Sequence, residues 1–338
     1  MSAKTRFISI AIASILLAAI LVIVIQTRAS GELEVVKAFE DSPSHLPEGI
    51  TIDKSGNFYV SLGPPGFFDA VPPFRAVWKI SPDGAETTVH VEYPEGPAPA
   101  GLAADPPGNV YFALPNMGQP GGGVFRLTGD SGAELMPGTD SMLVPNGLAV
   151  DKGGDLYASD SVTGFIWRIP RGGAAPAEIW YQGEPTAGCP EDFGANGIAF
   201  WKGDLYVANT SKGTLVRIPV LPNGSPAEGE VIAGNPDCAP EGLFGMDGIA
   251  LDVHGNVYAL LVLQNKLVRI DPEDGTTTTL LTEEDGLWNP ASLAFGTGKG
   301  ERESLFIANY AVIPPEPANS LGPAVLKYDV GVPGLPLP

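Results

Sequence analysis

The sequence predicts an all-β fold: a six-bladed β-propeller of four-stranded antiparallel blades, preceded by an N-terminal hydrophobic helix. Three observations carry this. The 338 residues include 43 glycines and 34 prolines, a density of turn formers and helix breakers that argues against a helical bundle or a doubly wound α/β protein. Hydrophobic residues make up 44% of the chain with a period-2 texture, so it is not a disordered polymer. One motif then recurs six times at spacings of 44–52 residues, the period of a propeller blade.

In chain order, the first element is the apolar stretch 7–25, preceded by Lys4 and Arg6. As a helix it would span ~30 Å, one hydrocarbon thickness. The stretch is longer than the apolar core of a usual cleaved signal. Residues 1–30 are therefore read as a signal anchor, with a cleaved signal peptide as the alternative. Either way the N-terminal charges leave residues 31–338 outside the cytoplasm, touching the membrane through this segment only.

The repeat follows. Its copies begin at Leu46, Ala98, Val144, Gly194, Gly245 and Asn289, and read, for example, VPNGLAVDKGGDLYASD from Val144. Each joins a polar lead, a Gly or Ser, an apolar strand, a turn and a second strand. Most continue into a third strand ending in a basic–apolar pair (AVWKI, GVFRL, FIWRI, TLVRI, KLVRI) and a fourth, Thr-, Glu- or Val-rich one. The sixth copy has a third strand in 324–330 with no fourth after it, while 33–40 stands ahead of the first copy. The N-terminal segment is expected to complete the sixth blade and close the ring, which hides the sheet edges. Residues 31–330 thus form one domain, with 331–338 as a frayed Pro-rich tail and a monomer as the expected state.

The balance of 19 basic and 39 acidic residues gives a net charge of −20. Such a field repels phosphate backbones, excluding nucleic acid as a partner, and attracts cations. Cys189 and Cys238 stand one repeat apart, each shortly before the same repeat landmark. Equivalent loops of neighbouring blades lie side by side, so these two are a candidate disulfide in an oxidising compartment.

Repeats separate scaffold from chemistry. Asp53, Asp105, Asp151 and Asp252 recur in the turn after the first strand, where a carboxylate accepts backbone N–H groups, and are read as structural. The position before the recurring Gly varies instead: Glu48, Ala100, Asn146, Asn196, Asp247 and Ala291. It lies at the start of each innermost strand, where six copies converge on the channel. Two carboxylates and two amides form a hard oxygen set suited to calcium, with magnesium, manganese or zinc as alternatives; a structural zinc would call for sulfur or imidazole. The two alanines leave one side open for water and a ligand.

At these residues the sequence resembles the regucalcin/gluconolactonase (senescence-marker-protein-like) propellers, and more distantly the paraoxonases and strictosidine synthases. The resemblance spans most of residues 33–330. It implies that Glu48, Asn146, Asn196 and Asp247 hold a divalent ion, and that Asp247 is also the catalytic general base. A lactone or ester carbonyl polarised by the ion would be attacked by water. The sequence departs from the sugar lactonases at Val144, where those members carry an arginine for a sugar acid. No counterpart of the paraoxonase histidine dyad is found at His45, His90 or His254. All four ligand positions persist, which favours hydrolysis over the condensation of strictosidine synthases.

Long aromatic, Pro/Gly-rich loops are expected to roof the channel, with Phe68, Met117, Phe193 and Phe244 as candidate substrate-binding residues for an apolar lactone or ester. The competing reading is a non-catalytic, membrane-anchored binding propeller with a structural calcium ion. A quinone-cofactor dehydrogenase is disfavoured by the scarcity of histidine and of arginine near the channel positions.

Overall fold

The computed structural model describes residues 31–338 except 40–44, 65–74, 94–97, 130, 240 and 313–316. The hydrophobic segment 7–25 and Phe68 lie outside the described residues. Among the described residues no helix is long and apolar enough to cross a membrane.

Alternation of apolar and polar positions, punctuated by Gly- and Asp-bearing turns, folds each repeat into one four-stranded antiparallel sheet, and there are six. The innermost strands of blades 1 to 6 are Leu46–Ile52, Leu102–Ala104, Pro145–Val150, Ala195–Trp201, Met246–Leu251 and Pro290–Phe295. Each contacts the innermost strand of the next blade, and the strand of blade 6 contacts that of blade 1. The ring is closed as the sequence suggests: Glu34–Ala38 pairs antiparallel with Ala324–Asp329 and supplies the outer strand of blade 6.

The core is a set of wedges between adjacent blades. Tyr157 and Ile166 of blade 3 pack on Leu205 and Val207 of blade 4, and Val60 and Leu62 of blade 1 on Phe306 and Val325 of blade 6. The recurring aspartates do hold the turns between first and second strands. Asp53 Oδ1 accepts the Ser55 and Asn57 N–H groups at 2.8 and 3.0 Å. Asp105, Asp151 and Asp252 do the same for their own turns. The Tyr111 and Tyr258 hydroxyls donate to Asp105 and Asp252. These contacts join the recurring Tyr to the recurring Asp as scaffold.

Residues 331–338 are not frayed. The Gly334 N–H donates to Arg302 O at 2.8 Å, the Leu335 N–H to Leu251 O at 3.0 Å, and Pro333 O accepts from the Val253 N–H at 3.0 Å. Gly334 pairs with Asp252 in an isolated bridge. Leu335 packs on the blade 5 core and Leu337 on the cluster shared by blades 1 and 2. The prolines suggested an unpaired end, because they donate no hydrogen bond. The leucines between them nevertheless find apolar surface at the channel's far end.

Cys189 and Cys238 are joined by a disulfide. It links the approach to blade 4 with the approach to blade 5, and so ties two loops next to two ring positions. Replacing both cysteines by serine should lower unfolding free energy by about 2–4 kcal/mol, measured as a reduced denaturant midpoint with an unchanged slope.

Candidate metal centre

The site is built by two backbone features that repeat around the channel. In five of the six innermost strands the pairing register shifts at the ring position, for example between Pro145 and Leu148 and between Ala195 and Ile198. A bulge of this kind lifts a residue out of the ladder and re-aims its side chain. The second feature is close approach. A Cβ added to Gly49, Gly101, Gly147, Gly197 or Gly248 would stand 2.3–2.8 Å from the carbonyl oxygen of the next blade's ring residue. Only glycine fits there, which explains why it recurs beside every ring position but one. At that exception, in blade 6, Ser292 Oγ accepts the Ile50 N–H at 3.4 Å.

Hydroxyls satisfy groups the bulges free. Ser61 Oγ accepts the Gly49 N–H at 2.7 Å. Ser159 Oγ accepts the Gly147 N–H at 2.9 Å and donates to Asn196 O at 2.6 Å. Thr210 Oγ1 donates to Met246 O at 2.9 Å and accepts from Asn196 Nδ2 at 3.0 Å. None of the three was singled out from sequence. The two serines carried a signal, since the same repeat position is Ala113, Ala208, Leu260 and Ala308 elsewhere.

Glu48, Asn146 and Asn196 are 4, 8 and 6% exposed, and Asp247 is half-buried. All four line one cavity. Asn196 hydrogen-bonds the Asp247 carboxyl, and Glu48 lies close enough to Asp247 to feel its charge. Burial, and secondarily the Asp247 charge, holds the Glu48 carboxyl well above its ordinary 4.5. Burial pushes Asp247 from 3.8 up to about 7, against the opposing hydrogen bond from Asn196. Glu48 Oε2 is buried with no hydrogen-bond partner.

A buried carboxylate oxygen without a donor, beside a second carboxylate, is costly unless a proton or a cation neutralises it. The residues present therefore fit a hard divalent cation: two carboxylates and two amides, oxygen donors throughout. Among the described residues no group of three or more His, Cys, Asp or Glu is arranged for a metal.

No family model matches the sequence, and no curated protein matches it. Solved structures do match. A calcium-binding regucalcin from Agrobacterium tumefaciens superimposes with a TM-score of 0.65 at 18% identity, over 91% of this chain and 97% of that one. A gluconolactonase from Xanthomonas campestris gives 0.61 at 16%, over 91% and 99%. A virginiamycin B lyase from Staphylococcus aureus gives 0.54 at 15%, over 88% and 98%. In fold, this chain is similar to the regucalcin and gluconolactonase propellers. At these identities the likeness speaks for the fold; the ring residues have to carry the chemistry themselves.

The remaining sequence-derived candidates lie elsewhere. Met117 is 48% exposed in a turn with left-handed backbone. Phe193 and Phe244 are half-buried in the approaches to blades 4 and 5, where their carbonyls accept from the Ser211 N–H and from Gln264 Nε2. None of the three lines the cavity that the ring opens into. Val144 is buried, with its N–H donating to Asp160 Oδ1 at 3.2 Å.

The raised carboxyl values predict how stability varies with pH. A carboxyl whose folded value exceeds its unfolded one stabilises the fold while protonated, and that stability is lost as pH rises through the folded value. In chelator, the wild type should lose stability between pH 3.8 and about 7 relative to Asp247→Asn. The variant should have the higher melting temperature at pH 8, and the two should converge near pH 4. Excess calcium at pH 8 should reverse the order, read by thermal denaturation.

Proposed function

We propose that this chain is an extracytoplasmic, divalent-cation-dependent hydrolase, with calcium the first candidate ion, acting on a lactone or ester. The observation that carries the reading is the ring itself: Glu48, with one buried oxygen that has no partner, close to Asp247, and with Asn146 and Asn196 in the same register. The fold likeness to regucalcin and gluconolactonase structures supports it. The disulfide between Cys189 and Cys238 supports an oxidising location.

A bound divalent cation would supply a Lewis acid for the substrate carbonyl and offset the charge of the two carboxylates. The chain's own groups do the rest. Glu48, Asn146 and Asn196 provide fixed oxygen donors. Asn196 is held by Thr210, and its bond to Asp247 orients that carboxylate. Asp247 accepts a proton from the attacking water. The water oxygen bonds to the carbonyl carbon, the ring or ester C–O bond breaks, and the proton passes to the leaving alkoxide. Ala100 and Ala291, in the blades on either side of Glu48, project only methyl groups at their ring positions and add no oxygen ligand.

The test uses residues 32–338, which contain every strand of all six blades. Aliphatic, aromatic and sugar lactones and aryl esters are assayed with calcium and with excess chelator. Turnover should require the cation, and Asp247→Ala should lower kcat about 10²–10⁴-fold while circular dichroism stays unchanged. Undiminished activity in that variant overturns the assignment of Asp247. A calcium-raised melting temperature without turnover of any substrate would instead establish the non-catalytic binding propeller.

A further inference from the structure

The ring opens onto a chamber of about 760 Å³. Glu48, Asn146, Asn196 and Asp247 stand at one end, and the exposed Lys152 and Lys202 turns stand at the other with Leu335–Pro338. From Glu48 to Ile52 the innermost strand advances four residues, ~13 Å. Over that depth the walls are aliphatic or aromatic apart from Thr51 and Ser292, and the Ser292 hydroxyl is engaged by the Ile50 N–H.

The far end has a built wall. Leu335 sits with Trp201 against the blade 5 core, and Leu337 against Tyr59 and Leu102 of blades 1 and 2. Two residues of extended chain span at most ~7 Å, so the segment crosses the channel between these two anchors. Three backbone hydrogen bonds of Pro333, Gly334 and Leu335, at 2.8–3.0 Å, fix the point from which it crosses. Blades 3 and 4, at Lys152 and Lys202, are left uncovered.

We propose that this chamber binds an uncharged aliphatic chain of medium length, and that Leu335 and Leu337 set how long a chain it accepts. The chamber's volume is that of a small-molecule site. Between the ring and the turns at Asp151, Lys152, Lys202 and Thr297, a sugar would find few side-chain hydrogen-bonding partners and would lose those it had in water. A free carboxylate would meet Glu48 and Asp247 at the deep end. A neutral chain meets neither penalty. Resting on the proposed function, the chain is the hydrocarbon part of a lactone or ester whose carbonyl reaches the ring, so the substrate class is aliphatic rather than saccharide.

Trp201 lines the chamber and serves as a native reporter. Residues 32–338, in chelator, would be titrated with methyl esters of terminally brominated alkanoic acids of increasing length, reading tryptophan quenching. Affinity should rise about fourfold per methylene up to a limiting length. Trp201→Phe should remove most of the quenching. Leu337→Phe should shorten the limiting length and Leu337→Ala should extend it, and both changes sit in a partly exposed segment outside the strands of the six blades. Absence of quenching, or quenching indifferent to both Trp201→Phe and the Leu337 variants, overturns the proposal.

A parallel series of γ-lactones with calcium separates this from the hydrolase reading. Quenching with the expected length limit but no turnover keeps the chamber and removes the lactonase. Turnover independent of chain length, without quenching, keeps the lactonase and removes the chamber.

Discussion

The close approach of the six innermost strands is the constraint on which the rest of the structure depends. Five glycines press against the carbonyl oxygens of the next blade's ring residues, at separations that leave no room for a Cβ. That contact fixes the channel's diameter at one level, and everything at that level converges. Because each glycine directly follows a ring residue, the four oxygen-bearing side chains meet as a consequence of backbone packing. The bulges complete the device by turning those side chains out of the ladder.

The convergence has an electrostatic cost. Burial holds the Glu48 and Asp247 carboxyls above their ordinary values, the Asp247 charge adds to the Glu48 shift, and one Glu48 oxygen has no donor. Such an arrangement persists only where the surrounding structure enforces it, and functional sites are where that tends to happen. Here the enforcement comes from wedges packed between blades and from Thr210, Ser61 and Ser159, which hold the backbone beside the ring. Under the proposed function, a hard cation bound at the ring would offset that cost, which would link the scaffold's stability to the site's affinity.

Much of this was legible in the sequence because a repeat carries its own internal comparison. Asp53, Asp105, Asp151 and Asp252 recur, and they hold turns. The residue before the glycine varies, and its polar versions gather at the channel. Closure by 33–40 followed from counting strands, since the sixth copy lacked its fourth. Features outside the repeat were not legible. Met117, Phe193 and Phe244 are loop residues, and loop packing depends on neighbours distant in sequence. Residues 331–338 looked like an unpaired end, because local pattern does not reveal that Leu335 and Leu337 have apolar surface waiting on blades 5, 1 and 2.

Sequence alone determined the number of blades, the strand order, the ring closure and the identity of the four channel residues. Each is encoded in periodicity, turn chemistry and register, which are local properties repeated along the chain. Tertiary structure alone decided which groups lost their partners, how far burial moved the two carboxyls, and that the channel ends in a walled apolar chamber. Those properties depend on distances between residues up to the whole length of the chain apart. Desolvation and close contact are set by what surrounds a group in space, and no spacing along a sequence records that.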